Sequence, residues 1–241
     1  MKPQFERSSL ILGEKAIEIL SHKRVAIFGL GGVGGATAET LARAGIGEFD
    51  LIDNDSFSIS NLNRQCLATL EKIGWPKVDV AAERILSINE SAIVHKHHHF
   101  ILPQDYGDID FVKFDYIVDA IDTMSAKLDL IKEATAHNVP IISATGCGNR
   151  VDPSKLKIGD IFSTKDDPLA RVLRRELRKI NINHLKVVYS TESPMPLKKT
   201  PNEPLPPGKK VIPGSTPFVP PVAGILLGYE VCMDLISFPR N

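Results

Sequence analysis

The chain has 241 residues, of which 43% are hydrophobic and 24% are charged, a composition typical of a folded globular protein that excludes a disordered chain. Its 29 basic residues equal its 29 acidic residues, so the overall charge argues neither for nor against a nucleic-acid partner. The three cysteines form no Cys-x-x-Cys pair, which excludes a four-cysteine zinc site and favours a reducing compartment. Because the N-terminus lacks the apolar core of a signal peptide, and the apolar residues 220–236 include two acids, we expect a cytoplasmic protein without a membrane span.

The first part of the chain alternates predicted strands with predicted helices. Residues 23–29, 48–53, 92–100, 116–119 and 140–144 are predicted strands, and residues 9–20, 36–44, 77–88 and 122–137 are predicted helices. This alternation predicts an α/β fold with a doubly wound, mostly parallel sheet.

The pattern changes after residue 148. Residues 157–162 and 185–190 are predicted strands, residues 167–179 a basic helix, residues 193–221 a long Pro-rich loop, and residues 220–236 a buried helix. We therefore expect one domain over residues 1–241, with a nucleotide-binding core in residues 1–148 and an elaborated C-terminal half in residues 149–241.

A glycine-rich turn separates the first predicted strand from the helix after it. The sequence GLGGVG fits the G-x-G-x-x-G pattern with Gly29, Gly31, Gly32 and Gly34. Glycines let the backbone turn tightly and approach a phosphate, and the helix N-terminus then offers free N–H groups to the anion. Asp53 ends the second predicted strand 19 residues after Gly34, where an acid binds ribose hydroxyls in this kind of fold. The pattern predicts a nucleotide site but leaves open whether the ligand is ATP or the dinucleotide of a dehydrogenase.

Charged residues farther along the chain favour ATP. Arg64 brings a guanidinium fork suited to phosphate oxygens, and Lys77 adds a second cation at the start of the next helix. Asp122 follows the fourth predicted strand, where it can bind a Mg²⁺ ion that bridges phosphates. Two cations and a magnesium ligand indicate the handling of a triphosphate rather than hydride transfer. Further nucleotide contacts are expected from Asp55, Ser60, Asn61, Asn63, Gln65 and Thr123.

Four stretches together resemble a known superfamily. GLGGVG, LIDNDSFSISNLNRQ, GWPKVDVAAERI and VDAIDT are similar to the adenylylating superfamily of ubiquitin-activating-enzyme type, which includes the molybdopterin-synthase and thiamine-biosynthesis adenylyltransferases. The resemblance implies a Rossmann-like ATP-binding fold, with Asp53 at the ribose and Asp122 at Mg²⁺. It places Arg64 and Lys77 at the ATP phosphates. It also implies a homodimer in which Arg7, in QFERSSLILG, reaches into the partner's site.

Further stretches resemble one family within that superfamily. RSSLILGEKAIEIL, VDPSKLKIGDI, KDDPLARVLRRELRK and GSTPFVPPVAGILLGYEV are similar to the bacterial tRNA threonylcarbamoyladenosine dehydratases, so that the resemblance covers nearly the whole chain. It implies that ATP adenylylates the threonyl carboxylate of a modified adenosine in tRNA, after which a nucleophile of the same side chain expels AMP and closes a ring. No enzyme cysteine is needed, and we expect Cys66, Cys147 and Cys232 to be small buried or neutral residues rather than nucleophiles.

The basic helix is the candidate surface for tRNA. A phosphate backbone would be attracted to its cations, which are Arg171, Arg174, Arg175, Arg178 and Lys179. The core stripe of the same helix is predicted from Leu169, Val172, Leu173, Leu177 and Ile180. A merely solvated helix face remains the alternative. The histidines at positions 95 and 97–99 are interpreted as a polar strand end rather than a metal site.

Three classes of function remain open at this point. The first is adenylylation of a carboxylate on tRNA. The second is adenylylation of the C-terminus of a ubiquitin-like sulfur-carrier protein, and a sulfur-transfer protein as partner also stays open. The third is a dehydrogenase or a non-catalytic nucleotide-binding module, which leaves Arg64, Lys77 and Asp122 without a role.

Overall fold

The computed structural model describes residues 2–99, 105–165, 167–199 and 212–239. Strands β1 to β7 span Arg24–Phe28, Glu48–Ile52, Ile93–His97, Tyr116–Asp119, Ile141–Ala144, Leu156–Asp160 and Lys186–Ser190. Helices α1 to α7 span Glu6–Leu12, Glu14–Ser21, Gly34–Ala44, Lys77–Ile88, Met124–Ala136, Pro168–Lys179 and Val219–Leu235.

The strands form one seven-stranded sheet in the order β3-β2-β1-β4-β5-β7-β6. Neighbouring strands are parallel except for β6, which pairs antiparallel with β7 at the edge. The strand order reverses between β1 and β4, and ligands of doubly wound sheets bind outside the carboxyl ends of the strands at such a reversal. The predicted fold class is therefore confirmed, and the topology places a binding crevice beyond the ends of β1 and β4.

Alternate residues of the central strand face two layers of helices. Val25 and Ile27 of β1 join the larger apolar cluster, which also contains buried residues of α3, α4 and α7. Ala26 and Phe28 point to the other face, where α5 packs. Helix α6 joins that second layer through a cluster that links Leu173 to α5. Strands covered on both faces explain the continuous apolar sequence of β1.

The predicted helix over residues 9–20 is wrong in one respect. Gly13, with φ +89°, ends α1 and separates it from α2, because this backbone conformation suits glycine and interrupts a helix. The strand predicted over residues 157–162 ends at Asp160, whose carboxylate accepts a hydrogen bond from the Phe162 N–H at 2.7 Å and starts a 3₁₀ turn.

The C-terminal elements follow the prediction with one shift. The final helix begins at Val219, so the last residues of the predicted loop lie in its first turn, where proline is tolerated. Residues 200–211 of that loop, including Lys209 and Lys210, lie outside the described residues. In the described ranges, no helix has the length and apolarity needed to cross a bilayer.

Candidate nucleotide-binding site

The glycine-rich turn sits where β1 and β4 end side by side. A Cβ atom on Gly29 would lie 2.8 Å from the carbonyl oxygen of Ala120, which directly follows β4. A Cβ on Gly34 would overlap the carbonyl oxygen of Gly29. Glycine is therefore required at both positions, because α3 must begin in direct contact with the end of β1.

The other two glycines of the turn face the segment around Arg64. A Cβ on Gly32 would lie 2.9 Å from the carbonyl oxygen of Arg64, and one on Gly31 would lie 3.9 Å from Nε2 of Gln65. Gln65 is buried, and in the described part of the chain its Oε1 atom has no hydrogen-bond partner. The structure thus brings two sequence-predicted segments together around a small backbone cradle.

Asp53 connects the turn to the next segment. Its carboxylate accepts hydrogen bonds from the backbone N–H of Leu30 at 2.6 Å and of Asp55 at 2.8 Å. Its side chain is only 8% exposed. Burial raises the pKa of Asp53, although the charge of Lys77 and the two backbone N–H groups oppose this shift. The acid is therefore held rigidly at the end of β2, beside the glycine turn.

Lys77 is a buried cation next to that acid. Its Nζ lies 2.7 Å from Oδ2 of Asp55 and 3.8 Å from Oδ2 of Asp53, and the side chain is 7% exposed. Its backbone N–H donates to the carbonyl of Asp55 at 2.9 Å, and Phe57 N–H donates to the carbonyl of Trp75 at 2.9 Å. These backbone bonds fix the start of α4 against the chain that leaves β2.

Arg64 contacts the glycine turn at Gly32 and lies in a network of neutral groups. Its Nη1 donates to the carbonyl of Ser60 at 2.8 Å and to Oδ1 of Asn63 at 2.9 Å. Asn61 stabilises the same loop by accepting a hydrogen bond from the Ser58 N–H at 3.1 Å. No carboxylate within the described ranges forms an ion pair with Arg64, so its charge is available to an anion.

Asp122 and Thr123 lie just beyond β4, at the same edge of the sheet. Both are exposed, and the Thr123 hydroxyl donates to Oδ1 of Asp122 at 3.4 Å. The described residues contain no cluster of three or more His, Cys, Asp or Glu side chains that could hold a metal ion. Mg²⁺ commonly binds through one or two carboxylates and substrate phosphates, so a single acid beside a triphosphate site suits it.

Arg7 is not brought to this site within one chain. It is exposed on α1, next to Leu10 and Ile11, each 81% exposed. In the described part of the chain it forms no ion pair. A role for Arg7 therefore depends on a second protomer.

One buried ion pair at the site was missed by the sequence analysis. Asp119, at the end of β4, accepts hydrogen bonds from Nζ of Lys127 at 2.6 Å and from the Ser143 hydroxyl at 2.7 Å. All three residues are fully buried. The acid ending the predicted strand was visible in the sequence, but its partners come from α5 and β5 and carry no local signal. The pair fixes the end of β4, from which Asp122 follows.

The basic helix presents only some of its predicted cations. Nη1 of Arg174 donates to the carbonyls of Ile161 at 3.2 Å and Thr164 at 3.0 Å, so Arg174 stabilises the preceding turn instead of facing solvent. Arg178 lies over the Phe162 ring, at 5.4 Å from its centroid. The exposed cations are Arg171, Arg175, Arg178 and Lys179. The predicted core stripe is confirmed at Leu173, Leu177 and the partly buried Ile180, but Val172 is 38% exposed and Ala170 is buried in its place.

The three thiols are all held in the neutral form. Burial raises the pKa of Cys147 and of Cys232 to about 12, and desolvation also raises the pKa of the surface residue Cys66. A reactive cysteine needs a lowered pKa, since the thiolate is the nucleophile. The histidines on β3 are likewise engaged, because His95 contacts Glu48 and His97 contacts Asp50, both at 2.8 Å.

The fold and the site together define a nucleotide-binding α/β protein of the Rossmann type, with charged side chains gathered around its glycine turn. The ThiF family model matches residues 5–184 of the chain. The chain therefore belongs to the ThiF family.

Known relatives match nearly the full length. The chain is 40% identical over 244 residues to the tRNA threonylcarbamoyladenosine dehydratase of Bacillus subtilis, with 98% of this chain and 96% of that protein covered. The crystal structure of the Escherichia coli tRNA N6-threonylcarbamoyladenosine dehydratase in complex with ATP superimposes with a TM-score of 0.85 at 30% identity, covering 97% of this chain and 94% of that one. The same E. coli protein in complex with AMP also matches with a TM-score of 0.85.

Proposed function

We propose that this protein uses ATP to adenylylate the threonyl carboxylate of threonylcarbamoyladenosine in tRNA, and then closes a ring with release of AMP. The observation that carries the proposal is the buried ammonium of Lys77 beside Asp53 at the glycine turn. A triphosphate needs such a cation, whereas hydride transfer does not. The full-length similarity to the B. subtilis dehydratase supports the choice of acceptor.

In the first step, a carboxylate oxygen of the acceptor attacks the α-phosphorus of ATP. The bond between the α-phosphorus and its bridging oxygen breaks, and pyrophosphate leaves. Asp53 binds the ribose, while Arg64 and Lys77 offset the negative charge at the phosphates. The carboxylate is already ionised at neutral pH, so this step needs no general base.

In the second step, a nucleophilic atom of the same side chain attacks the activated acyl carbon and AMP leaves. The reaction is intramolecular and gains from proximity, so the protein's part is to hold the acceptor and exclude water. The neutral thiols of Cys66, Cys147 and Cys232 fit a path without an enzyme thioester. The net change in the nucleoside is the loss of one water molecule.

Three parts of the proposal concern groups outside this chain. Asp122 is the residue that would hold Mg²⁺, which would supply positive charge next to the phosphates, and Thr123 beside it would contact the nucleotide. Arg7 would complete the site of a second copy, since α1 leaves it and the apolar Leu10 and Ile11 exposed. Each chain would form one adenylylating domain, because β6 and β7 extend the same sheet, and two such chains would form a cytoplasmic homodimer.

The exposed cations of α6 are the proposed contact for tRNA. Arg171, Arg175, Arg178 and Lys179 are all exposed, and Arg175 and Lys179 contact Glu176 at 2.9 and 2.7 Å, an anion that a tRNA phosphate would replace. Phosphate contacts of this kind give affinity and orientation without reading the sequence. The acceptor nucleoside would then be positioned at the carboxyl edge of the sheet.

Exchange of labelled pyrophosphate into ATP separates the proposal from the sulfur-carrier alternative. The protein is incubated with ATP and Mg²⁺, together with threonylcarbamoyl-modified tRNA, with unmodified tRNA, or with a ubiquitin-like sulfur-carrier protein. We expect exchange and AMP release only with the modified tRNA. Exchange stimulated by the carrier protein alone would replace this proposal with the second function class.

A further inference from the structure

A buried arginine follows the carboxyl end of β5. Arg150 is only 2% exposed, and its Nε and Nη2 atoms have no hydrogen-bond partner among the described residues. Nor does any described carboxylate form an ion pair with it. A buried guanidinium with two unpartnered nitrogens opposes folding, because these groups lose their hydration without a hydrogen bond in exchange. Such a feature is expected where a ligand supplies the missing charge.

The two unpartnered nitrogens lie on one side of the guanidinium and suit a carboxylate. The same pair of atoms binds a carboxylate elsewhere in this chain. Nε and Nη2 of Arg24 donate to the two carboxylate oxygens of Asp50 at 2.7 and 3.0 Å. Parallel bonds of this kind are the usual geometry for arginine and a planar oxyanion. Arg150 therefore presents the atoms of a carboxylate site without the carboxylate.

A second unpartnered group lies in the same neighbourhood. Asp167 is fully buried; its Oδ1 accepts from the N–H groups of Leu169 and Ala170, whereas its Oδ2 has no partner in the described ranges. A Cβ on Gly146 would collide with this carboxylate, so glycine leaves room for it. Gly146 precedes Arg150 by only four residues, so Asp167 packs on the same short segment that carries Arg150.

A short path connects Arg150 with the proposed phosphate site. The Thr216 hydroxyl donates to the carbonyl of Arg150 at 3.3 Å. The preceding residue, Ser215, accepts a hydrogen bond from Nδ2 of Asn63 at 3.0 Å, and Asn63 in turn contacts Arg64. Ser215 and Thr216 are consecutive, so their Cα atoms are only 3.8 Å apart. The backbone of Arg150 and the side chain of Asn63 therefore contact neighbouring residues of one segment.

The order of the strands separates Arg150 from the nucleotide. Asp53 follows β2, the glycine turn follows β1, Asp122 follows β4 and Arg150 follows β5, which are neighbours in this sequence across the sheet. Adjacent strands are about 4.8 Å apart. The ribose is expected beyond β2 and the phosphates beyond β1. The acceptor carboxylate, which attacks the α-phosphorus, would then bind on the other side of the phosphates, beyond β5.

We propose that Arg150 binds the carboxylate of the acceptor through Nε and Nη2, and that Asp167 Oδ2 accepts a hydrogen bond from a hydroxyl or N–H group of the same acceptor. This inference rests on the proposed function. The turn at residues 213–216 packs on residues 148–150 beside this site. Arg150 thereby holds the nucleophile beyond β5, with β1 and β4 between it and the ribose site beyond β2.

The test compares Arg150→Met and Arg150→Lys with the wild type. Steady-state kinetics give kcat and KM for threonylcarbamoyl-modified tRNA, calorimetry gives the Kd for ATP, and thermal unfolding gives Tm. The matched control is Arg24→Met, which removes a guanidinium already paired with Asp50 at the opposite end of the strands.

We expect Arg150→Met to raise KM for the modified tRNA roughly 10- to 100-fold, since it removes charge-assisted hydrogen bonds. The Kd for ATP stays within about twofold, and Tm is unchanged or higher, because a buried unpaired charge is replaced by an apolar chain. Arg150→Lys restores part of the loss in KM. Arg24→Met instead lowers Tm and leaves KM unchanged.

Other outcomes overturn the inference in distinguishable ways. If Arg150→Met weakens ATP binding and leaves KM for tRNA unchanged, the bound oxyanion is a phosphate of ATP. A lower Tm with unchanged KM would mean that Arg150 has only a structural role. If the wild type releases no AMP with modified tRNA, the proposed function itself fails, and this inference fails with it.

Discussion

The carboxyl edge of the sheet has two regions that differ in how their buried charged groups are paired. Beyond β1 and β2, the buried charges are already paired, because Asp53 accepts two backbone N–H groups and Lys77 contacts Asp55. Beyond β5, no described carboxylate forms an ion pair with Arg150, and one oxygen of Asp167 has no hydrogen-bond partner among the described residues. The first region is preorganised for a nucleotide, a ligand that many Rossmann-type proteins share. In the second region, the unpartnered atoms obtain hydrogen-bond partners only when the acceptor binds.

This difference separates binding of the nucleotide from selection of the acceptor. The ion pair between Lys77 and Asp55 stabilises the site before ATP binds. When ATP binds, the Lys77 ammonium exchanges the Asp55 carboxylate for a phosphate and is never left without an anion. An unpaired guanidinium penalises every state in which its anion is missing, so it discriminates between acceptors. Variants in the first region should therefore change affinity for ATP or its reaction, and variants in the second should change use of tRNA.

The largest effect is expected from Asp122→Asn. The substitution keeps the size of the side chain but removes the charge that would hold Mg²⁺ at the phosphates, so kcat for AMP formation should fall roughly 100- to 1000-fold. Single-turnover release of AMP from modified tRNA measures it. The Kd for ATP without Mg²⁺ is the control and should not change. A kcat within threefold of the wild type would exclude Asp122 as the metal ligand.

The pair formed by Lys77 and Asp55 gives the next largest effect. Lys77→Met should raise the Kd for ATP roughly 10- to 100-fold, because a buried charged donor to phosphate is lost. Asp55→Asn, in contrast, frees the ammonium from its 2.7 Å contact and keeps a polar side chain at this predicted nucleotide contact, so the Kd for ATP should rise less than in Lys77→Met. Isothermal calorimetry measures the Kd for ATP of both variants. Equal losses in the two variants would mean that the ion pair, rather than the free cation, forms the site.

The basic helix offers a comparison of two arginines one residue apart. Arg175→Ala should weaken tRNA binding and reduce the slope of log affinity against log salt by about 1, as expected for one lost phosphate contact. Arg174→Ala should instead lower the free energy of unfolding by about 1–3 kcal/mol, because the carbonyls of Ile161 and Thr164 lose a donor. Filter binding over a range of salt concentrations, together with thermal unfolding, measures both. If Arg175→Ala leaves the salt slope unchanged, the exposed face is only a solvated helix.

The smallest effect is expected from removing the thiols. A variant with Cys66→Ser, Cys147→Ala and Cys232→Ala should keep kcat within about twofold, because burial and desolvation keep these thiols protonated at neutral pH. Its Tm reports any loss of packing at the two buried positions. Loss of AMP release in a variant that still folds would show that the reaction passes through a thioester.

Local patterns predicted most of the first region. The apolar run of β1, the glycine turn and the acid after β2 are each encoded within a few neighbouring residues, and Lys77 starts α4 as predicted. The break at Gly13 was missed because the helical spacing continues across it. In α6, helical spacing predicts which residues share a side but not that Arg174 turns back to the Ile161 carbonyl.

The second region was harder to predict because its pairing is long-range. Arg150 follows a Gly-Cys-Gly-Asn stretch without any motif, and its significance comes only from burial beneath residues far along the chain. Asp167 could be recognised as the start of a helix, but its unpartnered Oδ2 could not. The same holds for Asp119, whose partners belong to α5 and β5.

The central claim is that the acceptor's carboxylate becomes adenylylated, and labelled oxygen tests it most directly. Modified tRNA with ¹⁸O in both oxygens of the threonyl carboxylate is turned over with ATP, and the released AMP is analysed by mass spectrometry. The account predicts one ¹⁸O atom in each AMP, because the oxygen that attacks the α-phosphorus stays with it when the ring closes. AMP without the label, or a nucleoside that has not lost one water molecule, would contradict it.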